Sequence, residues 1–262
     1  KTPSIYSLLN YTELKNNGYW TVEGGMYKIV EEILNELKKL NVEIIYDTEI
    51  QSITNSNGTL KAIRDNKGRD WRADTFIVNA DAASFRGKVL NRNKYTDKKL
   101  DEMEWSLAPF TIYLGINKKV PGLYHHNYFL GNDFIKYADK IFTSSVIPSR
   151  PYYYVNMPSH TDTTCAPEGC ENLFILCPVP DLRFKKDWND RNEVAEDIIS
   201  DLSERINFDL KENTVVKKIL TPLEWESMFN LYRGSGLGLS HGMKQIGGFR
   251  PSNKDEVFPN LF

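Results

Sequence analysis

This sequence has a low net charge, few cysteines and no long apolar run. Its 262 residues carry a formal net charge of −2 at pH 7, so no basic surface of the kind that binds nucleic acid is expected. No apolar run reaches the roughly 18 residues that a membrane-spanning helix needs. A nucleic-acid partner and a helical membrane anchor are therefore not predicted.

The three cysteines, Cys165, Cys170 and Cys177, lie close together in the sequence. An odd number of cysteines without a signal peptide argues against a disulfide framework, so a reducing, cytoplasmic location is expected. No histidine stands at metal-ligand spacing beside them, and a zinc site is not predicted. The residues from Lys1 onward resemble neither a signal peptide nor a natural start, so the sequence is expected to be an internal piece of a longer protein.

The clearest local unit is a helix followed by a β-meander, within residues 24–80. Apolar residues recur at helical spacing over 26–40 and predict an amphipathic helix with one buried stripe. The turn signal at Asn57 and Gly58 predicts a hairpin. Strands are predicted over 42–46, 49–53, 59–64 and 73–79, with a shorter one around Trp71.

The remainder of the chain alternates further strands with a second amphipathic helix over 194–206. Aromatic residues make up 12% of the sequence, which suits either a large apolar ligand pocket or an aromatic-rich sheet core. Residues 230–251 are glycine-rich and irregular. Strands are predicted over 110–116, 128–130, 141–147, 152–156, 173–177 and 215–220. The predicted fold class is therefore α+β, with mixed and antiparallel sheets and flanking helices.

Five short stretches follow one another in the order of a known family. In the first, an aromatic residue leads into the paired glycines Gly24 and Gly25 and then a helix, and in the second a strand ends Ile-Val-Asn-Ala-Asp. The sequence resembles the bacterial-type phytoene dehydrogenases, the carotenoid desaturases, over nearly its whole length. The matching stretches are 20–31, 77–81, 166–180, 221–225 and 230–251.

The resemblance implies an FAD-dependent oxidoreductase that desaturates a long apolar polyene, phytoene or diapophytoene, at a peripheral membrane surface. The family's phosphate-binding Gly-x-Gly-x-x-Gly turn has no counterpart here, because no strand–turn–helix unit surrounds the glycines of 234–238. We therefore expect this chain alone to bind FAD poorly. The implied division is a substrate domain formed by 1–19 and 82–247, an FAD-domain insert at 20–81, and a return toward the FAD domain at 248–262.

The resemblance also assigns cofactor-binding residues. Ile50 is expected to offer its backbone to the adenine of FAD, and Asn79, Ala80 and Asp81 are expected to end a strand near the cofactor. The alternatives are a core isoleucine in a hairpin and an Asx turn that stops the strand. The second alternative is compatible with cofactor contact, so both stay open.

A substrate pocket is predicted around Tyr232, Gly234, Ser235 and His241, since small residues let a backbone approach a flat ring or polyene closely. A plain surface loop is the alternative. His241 could act as an acid or base, but a lone loop histidine is more often structural, so no catalytic residue is assigned. The pair His125-His126 is interpreted as a loop or strand edge and not as a ligand set.

Two further classes of function stay open from the sequence. One is another relative of the flavin amine oxidases, such as a carotenoid isomerase, a polyene saturase or an oxidase of small amines. A polar, closed pocket around residues 232–241 would favour a small amine over a long polyene. The other is a non-enzymatic module that binds lipid without flavin.

Overall fold

A computed structural model describes residues 7–16, 18, 20–148 and 150–262. Two antiparallel sheets with helices around them make up the described chain, which confirms the α+β class. The strands are β1 Ile50–Ser56, β2 Thr59–Asp65, β3 Asp70–Arg72, β4 Ala108–Ile116, β5 His126–Phe129, β6 Tyr153–Asn156, β7 Glu171–Val179 and β8 Thr214–Leu220. The α-helices are α1 Ser7–Lys15, α2 Tyr27–Lys39, α3 Ala82–Ser84, α4 Asp97–Asp101, α5 Phe134–Thr143, α6 Arg191–Ile206, α7 Leu210–Asn213 and α8 Pro222–Phe229.

The small sheet is the predicted meander, with strand order β1-β2-β3. Asn57 and Gly58 join its first two strands, and both have positive φ angles, of 51° and 70°. A two-residue hairpin turn of this kind needs positive φ at both central residues, and asparagine followed by glycine meets that need at little cost. The hairpin predicted from the sequence is therefore present.

The C-terminal residues of the chain return to this small sheet. Phe76 forms a parallel bridge with Leu261, and its N–H donates to the carbonyl of Asn260 at 2.9 Å. Phe76 and Leu261 are buried together with Leu60 and Phe258. Among the described residues, the predicted strand at 73–79 thus forms a single bridge, beside residues 260–262.

The large sheet has strand order β5-β6-β7-β4-β8, and every neighbouring pair is antiparallel. Its side chains alternate between the two faces, as the period of a strand requires. One face is the core of the molecule, where Phe110, Ile112 and Ile175 are buried against Leu202 of α6. The other face carries half-buried side chains along β7, which alternates strictly between buried and half-buried residues.

Two predicted strands are wrong. Residues 42–46 form no ladder, and Val42 and Tyr46 are exposed, because no described segment lies beside them to complete the hydrogen bonds. Residues 141–147 overlap the end of helix α5. That helix begins where the Asp133 carboxylate accepts the Lys136 N–H at 3.0 Å, an N-cap, and it buries Tyr137 and Ile141, which lie one turn apart.

The predicted helix at 26–40 forms as α2, but its apolar stripe is not buried against the part of the chain that the structure describes. Paired glycines lie just before α2. The N–H of Gly24 donates at 2.7 Å to the carboxylate of Asp162, which lies between β6 and β7. Bonds to Thr164 and to this amide lower the pKa of Asp162 to about 2. Gly24 and Gly25 have φ angles of 84° and 88°, which only glycine adopts readily.

Candidate functional site

A cleft of about 1050 Å³ opens between the small sheet and the segment that follows it. Ile50, Asn79 and Ala80 all line it. Three more lining residues are Lys88, from the helical turn after α3, Ser227 of α8, and Asn230 just after α8. Three of the four residues predicted to bind the cofactor therefore lie in one place. They come from two stretches that are 29 residues apart in the sequence.

The geometry of residues 76–79 directs backbone groups toward this cleft. The N–H groups of Phe76 and Val78 donate to the C-terminal segment, at Asn260 and Phe262. Successive N–H groups of an extended chain point to opposite edges, so those of Ile77 and Asn79 point away from that segment. Ile77 is 82% exposed. This edge thus presents donors and an apolar side chain to the cleft that they line.

Asp81, the fourth predicted cofactor residue, is the N-cap of the following helix. Its carboxylate accepts the Ser84 N–H at 2.8 Å. Burial raises the pKa of Asp81, while the backbone N–H groups of Ser84 and Tyr232 act in the opposite direction. Asp81 therefore links the end of the small-sheet unit to the Tyr232 loop, and its predicted contact with a cofactor stays a prediction.

The cap and the charge of Asp81 can be separated by two substitutions. Asp81→Asn keeps an acceptor for the Ser84 N–H, and Asp81→Ala removes it, which costs about 1 kcal/mol of folding free energy. Because the pKa of Asp81 is raised in the folded protein, its ionisation weakens the fold as pH rises from the unfolded pKa to the folded one. We expect Asp81→Asn to match or exceed the wild-type midpoint of chemical unfolding at pH 7, with Asp81→Ala below both. Equal midpoints for the two variants would contradict the cap.

The residues predicted to line a substrate pocket dock the loop after α8 onto the rest of the chain. Tyr232 is buried, its ring centroid lies 4.6 Å from that of Trp105, and its hydroxyl donates to Asp101 Oδ1 at 2.9 Å. Ser235 is buried, with its Oγ 2.9 Å from Ser106 Oγ. Gly234 is buried too, and His241 is half-buried. Their role in a substrate pocket stays a prediction beside this docking role.

The uncovered face of the large sheet carries a row of aromatic rings that sequence reasoning missed. Tyr128, Tyr154, Phe174 and Tyr113 stand on the neighbouring strands β5, β6, β7 and β4. Consecutive ring centroids are 5.2, 6.4 and 5.2 Å apart. The strands themselves were predicted, but alternation alone does not say which of two faces is covered.

Among the described residues there is no group of three or more histidine, cysteine or acidic side chains that could hold a metal ion. His125 and His126 have ring centroids 4.4 Å apart. Burial and the neighbouring histidines lower the pKa of His125. His126 begins the edge strand β5. Within the same part of the chain, no helix is both long enough and apolar enough to span a bilayer.

Comparison with known proteins bears on the family directly. The chain is 34% identical over 264 residues to a zeta-carotene-forming phytoene desaturase of Myxococcus xanthus. The match covers the whole chain and 50% of that protein. It is 33% identical over 283 residues to a phytoene desaturase of Fusarium fujikuroi, covering 99% of the chain and 49% of that protein. This chain is a phytoene desaturase homologue. The resemblance predicted from the sequence is confirmed, and the chain spans about half the length of the curated relatives it matches.

Solved structures share the fold at low sequence identity. An oxidoreductase from Methanosarcina mazei matches 92% of this chain and 48% of its own, with a TM-score of 0.50 and 15% identity. A reduced UDP-galactopyranose mutase matches 76% of this chain and 39% of its own, with a TM-score of 0.52 and 17% identity. No family model matches the chain. The structural matches support the α+β architecture of this desaturase homologue.

Proposed function

We propose that this chain forms the adenine side of an FAD site and the substrate sheet of an oxidoreductase that desaturates a long polyene. One observation carries the proposal: Ile50, Asn79 and Ala80, assigned from separate motifs, line a single cleft. The phosphate-binding turn of the cofactor would come from the part of the relatives' length that this chain does not span. Residues 20–81 would then be the FAD-domain insert, and 248–262 its return.

The residues of the cleft suit one end of a dinucleotide. Its volume of about 1050 Å³ is just above the roughly 300–1000 Å³ typical of small-molecule pockets. The edge formed by Ile77 and Asn79 offers backbone N–H groups, and Asn66 and Ser84 add polar side chains. Lys88 is the one cationic side chain among those that line the cleft. The carboxylates of Asp47 and Glu49 line the cleft as well, so the set suits a flat heterocycle and the hydroxyl groups of a ribose, with Lys88 beside a neighbouring negative charge.

Flavin-dependent desaturation needs few acidic or basic side chains from this chain. When bound, FAD supplies the hydride acceptor, and the protein supplies binding, orientation and an apolar surround. The backbone edge at Ile77 and Asn79 would orient the adenine end, while the large sheet would hold an uncharged substrate away from water. The predicted substrate pocket consists of Tyr232, Gly234, Ser235 and His241. No catalytic role is assigned to His241.

A membrane surface is the proposed source of the substrate. Helix α5 and the loop before it expose the apolar side chains of Leu130, Phe134 and Ile135, and Lys136 lies beside them. Lys136 is paired with Asp133 at 3.0 Å, so the exposed apolar side chains are the main contact that this surface offers to a bilayer. This placement agrees with a polyene that dissolves in lipid and with the absence of a spanning helix among the described residues.

The test is made on the full-length protein in a host that accumulates phytoene or diapophytoene. We expect the purified protein to carry flavin, the host to gain products with more double bonds, and the protein to sediment with vesicles that contain the polyene. Protein without flavin that still binds polyene would reject the enzyme in favour of a lipid-binding module. Flavin with isomerised or saturated products would move the reaction to another carotenoid-modifying relative, and protein that stays in the supernatant would reject the membrane contact.

A further inference from the structure

The aromatic row on the large sheet is a continuous feature of one face. Tyr128 pairs directly with Tyr154, and Tyr113 pairs directly with Phe174. Tyr154 and Phe174 complete the row across β6 and β7, where Asn156 stands opposite Phe174 and shares a face with Tyr154. Since strands in a sheet lie about 4.8 Å apart, the row crosses roughly 14 Å of surface at right angles to the strands.

The row is open on one side and firmly supported on the other. Tyr128 is 74% exposed, and Tyr154, Phe174 and Tyr113 are each half-buried. Residues that alternate with them, such as Ile175, are fully buried in the core on the opposite face. The hydroxyl of Tyr154 lies 2.6 Å from Nδ1 of His126. A ligand that binds here would therefore meet rings that are already held in place.

The chemistry of the face selects for an uncharged ligand. On β4, β5, β6 and β7 the side chains that share this face are aromatic, aliphatic or neutral polar residues together with His126. On the edge strand β8, the exposed Lys218 shares the face and stands opposite Tyr113. Along the four rings themselves a flat apolar chain would gain contact with aromatic side chains, while the one cation, Lys218, lies beyond the Tyr113 end of the row. A rod-shaped polyene fits both the shape and the lack of charge.

The face and the cofactor cleft share one helix. α8 contacts β4 and β8 of the large sheet, and Ser227 of α8 and Asn230 just after it line the cleft. Gly236, in the loop after α8, lies close to Pro109, which shares a face of β4 with Tyr113 and is buried there. Helix α8 and the loop after it therefore lie between the ring row and the cleft.

We propose that Tyr113, Tyr128, Tyr154 and Phe174 form the platform on which the polyene lies, and that they determine how tightly it binds. The proposal rests on the proposed function and extends it from the cofactor cleft to the substrate-positioning surface. These residues position the substrate and take no part in hydride transfer. Removing one ring removes a large apolar contact made by the bound substrate.

The test compares Tyr113→Ala and Phe174→Ala with Tyr113→Phe in the full-length protein loaded with flavin. Loss of one ring contact is worth roughly 1.4 kcal/mol, which corresponds to about a tenfold rise in KM for the polyene. We expect that rise in both alanine variants, with kcat changed less than twofold and the flavin content unchanged. Tyr113→Phe keeps the ring and is expected to retain the wild-type KM.

Tyr124→Ala is the matched control, because Tyr124 is 73% exposed yet lies outside the row, against His160. We expect it to leave KM unchanged. The proposal is overturned if the alanine variants keep their KM within twofold of the wild type, or if both lose flavin or unfold, which would assign the row to packing. A wild-type protein that converts no polyene would instead reject the proposed function.

Discussion

Replacing Gly234 by alanine is expected to lower the free energy of unfolding by about 3 kcal/mol. Gly234 has a φ of 70°, and a Cβ added there would lie 2.6 Å from the carbonyl oxygen of Pro222 and 2.7 Å from its Cβ. The left-handed backbone costs a residue other than glycine about 1 kcal/mol, and overpacking adds roughly 1–3 kcal/mol. Since Pro222 is the first residue of α8, the new methyl group would displace that helix.

Gly238→Ala is the matched control for this prediction. Gly238 has a φ of 69°, but an added Cβ would meet nothing within 4 Å, so only the backbone cost of about 1 kcal/mol should remain. The two variants are compared by chemical unfolding of the full-length protein. If Gly234→Ala and Gly238→Ala unfold within 0.5 kcal/mol of each other (roughly the limit of such measurements), the close approach to Pro222 is wrong.

Replacing Ala80 by tryptophan is expected to lower the flavin content of the full-length protein at least about tenfold. Ala80 is exposed and lies between the large cleft and a neighbouring cavity of about 440 Å³. A tryptophan side chain there would occupy cleft volume that the adenine end of FAD is proposed to fill, and a loss of about 1.4 kcal/mol is already tenfold in affinity. The fold should survive, because the alanine side chain is not part of a core.

The measurement is the flavin absorbance per polypeptide, followed by titration of the flavin-free protein with FAD. Ala82→Trp is the control, since Ala82 is also exposed but lines only the smaller cavity. We expect this control to retain most of its flavin and both variants to show the wild-type unfolding midpoint. Full flavin occupancy in Ala80→Trp would place the cofactor elsewhere and remove the main support for the proposed function.

The elements that the sequence predicts correctly are those with a local cause. Helix α6 has a clear apolar period, and the hairpin at Asn57 and Gly58 has residues that tolerate positive φ. The helix α5 has a local signal as well, since Asp133 caps its first turn. The apolar, strand-like composition of 141–147 competes with this cap and indicates a strand, which the structure shows to be wrong.

The remaining features depend on contacts that no local pattern contains. The bridge between Phe76 and Leu261 joins residues that are 185 positions apart in the sequence. The open face of the large sheet can be identified only once α6 is known to cover the other face. The resemblance predicts Ile50 and Asn79 as cofactor residues. The contributions of Lys88 and Ser227 to the cleft follow only from the three-dimensional fold.

The bridge between Phe76 and Leu261 has a consequence for synthesis of the protein on the ribosome. The two residues are separated by the whole large sheet, so Phe76 emerges long before the residue that covers it. At about 5–20 residues per second, the delay is on the order of 10–40 s. During that interval Leu60 and Phe76 lack the cover that Phe258 and Leu261 later provide, so the small sheet exposes apolar side chains on the nascent chain until synthesis reaches residue 261.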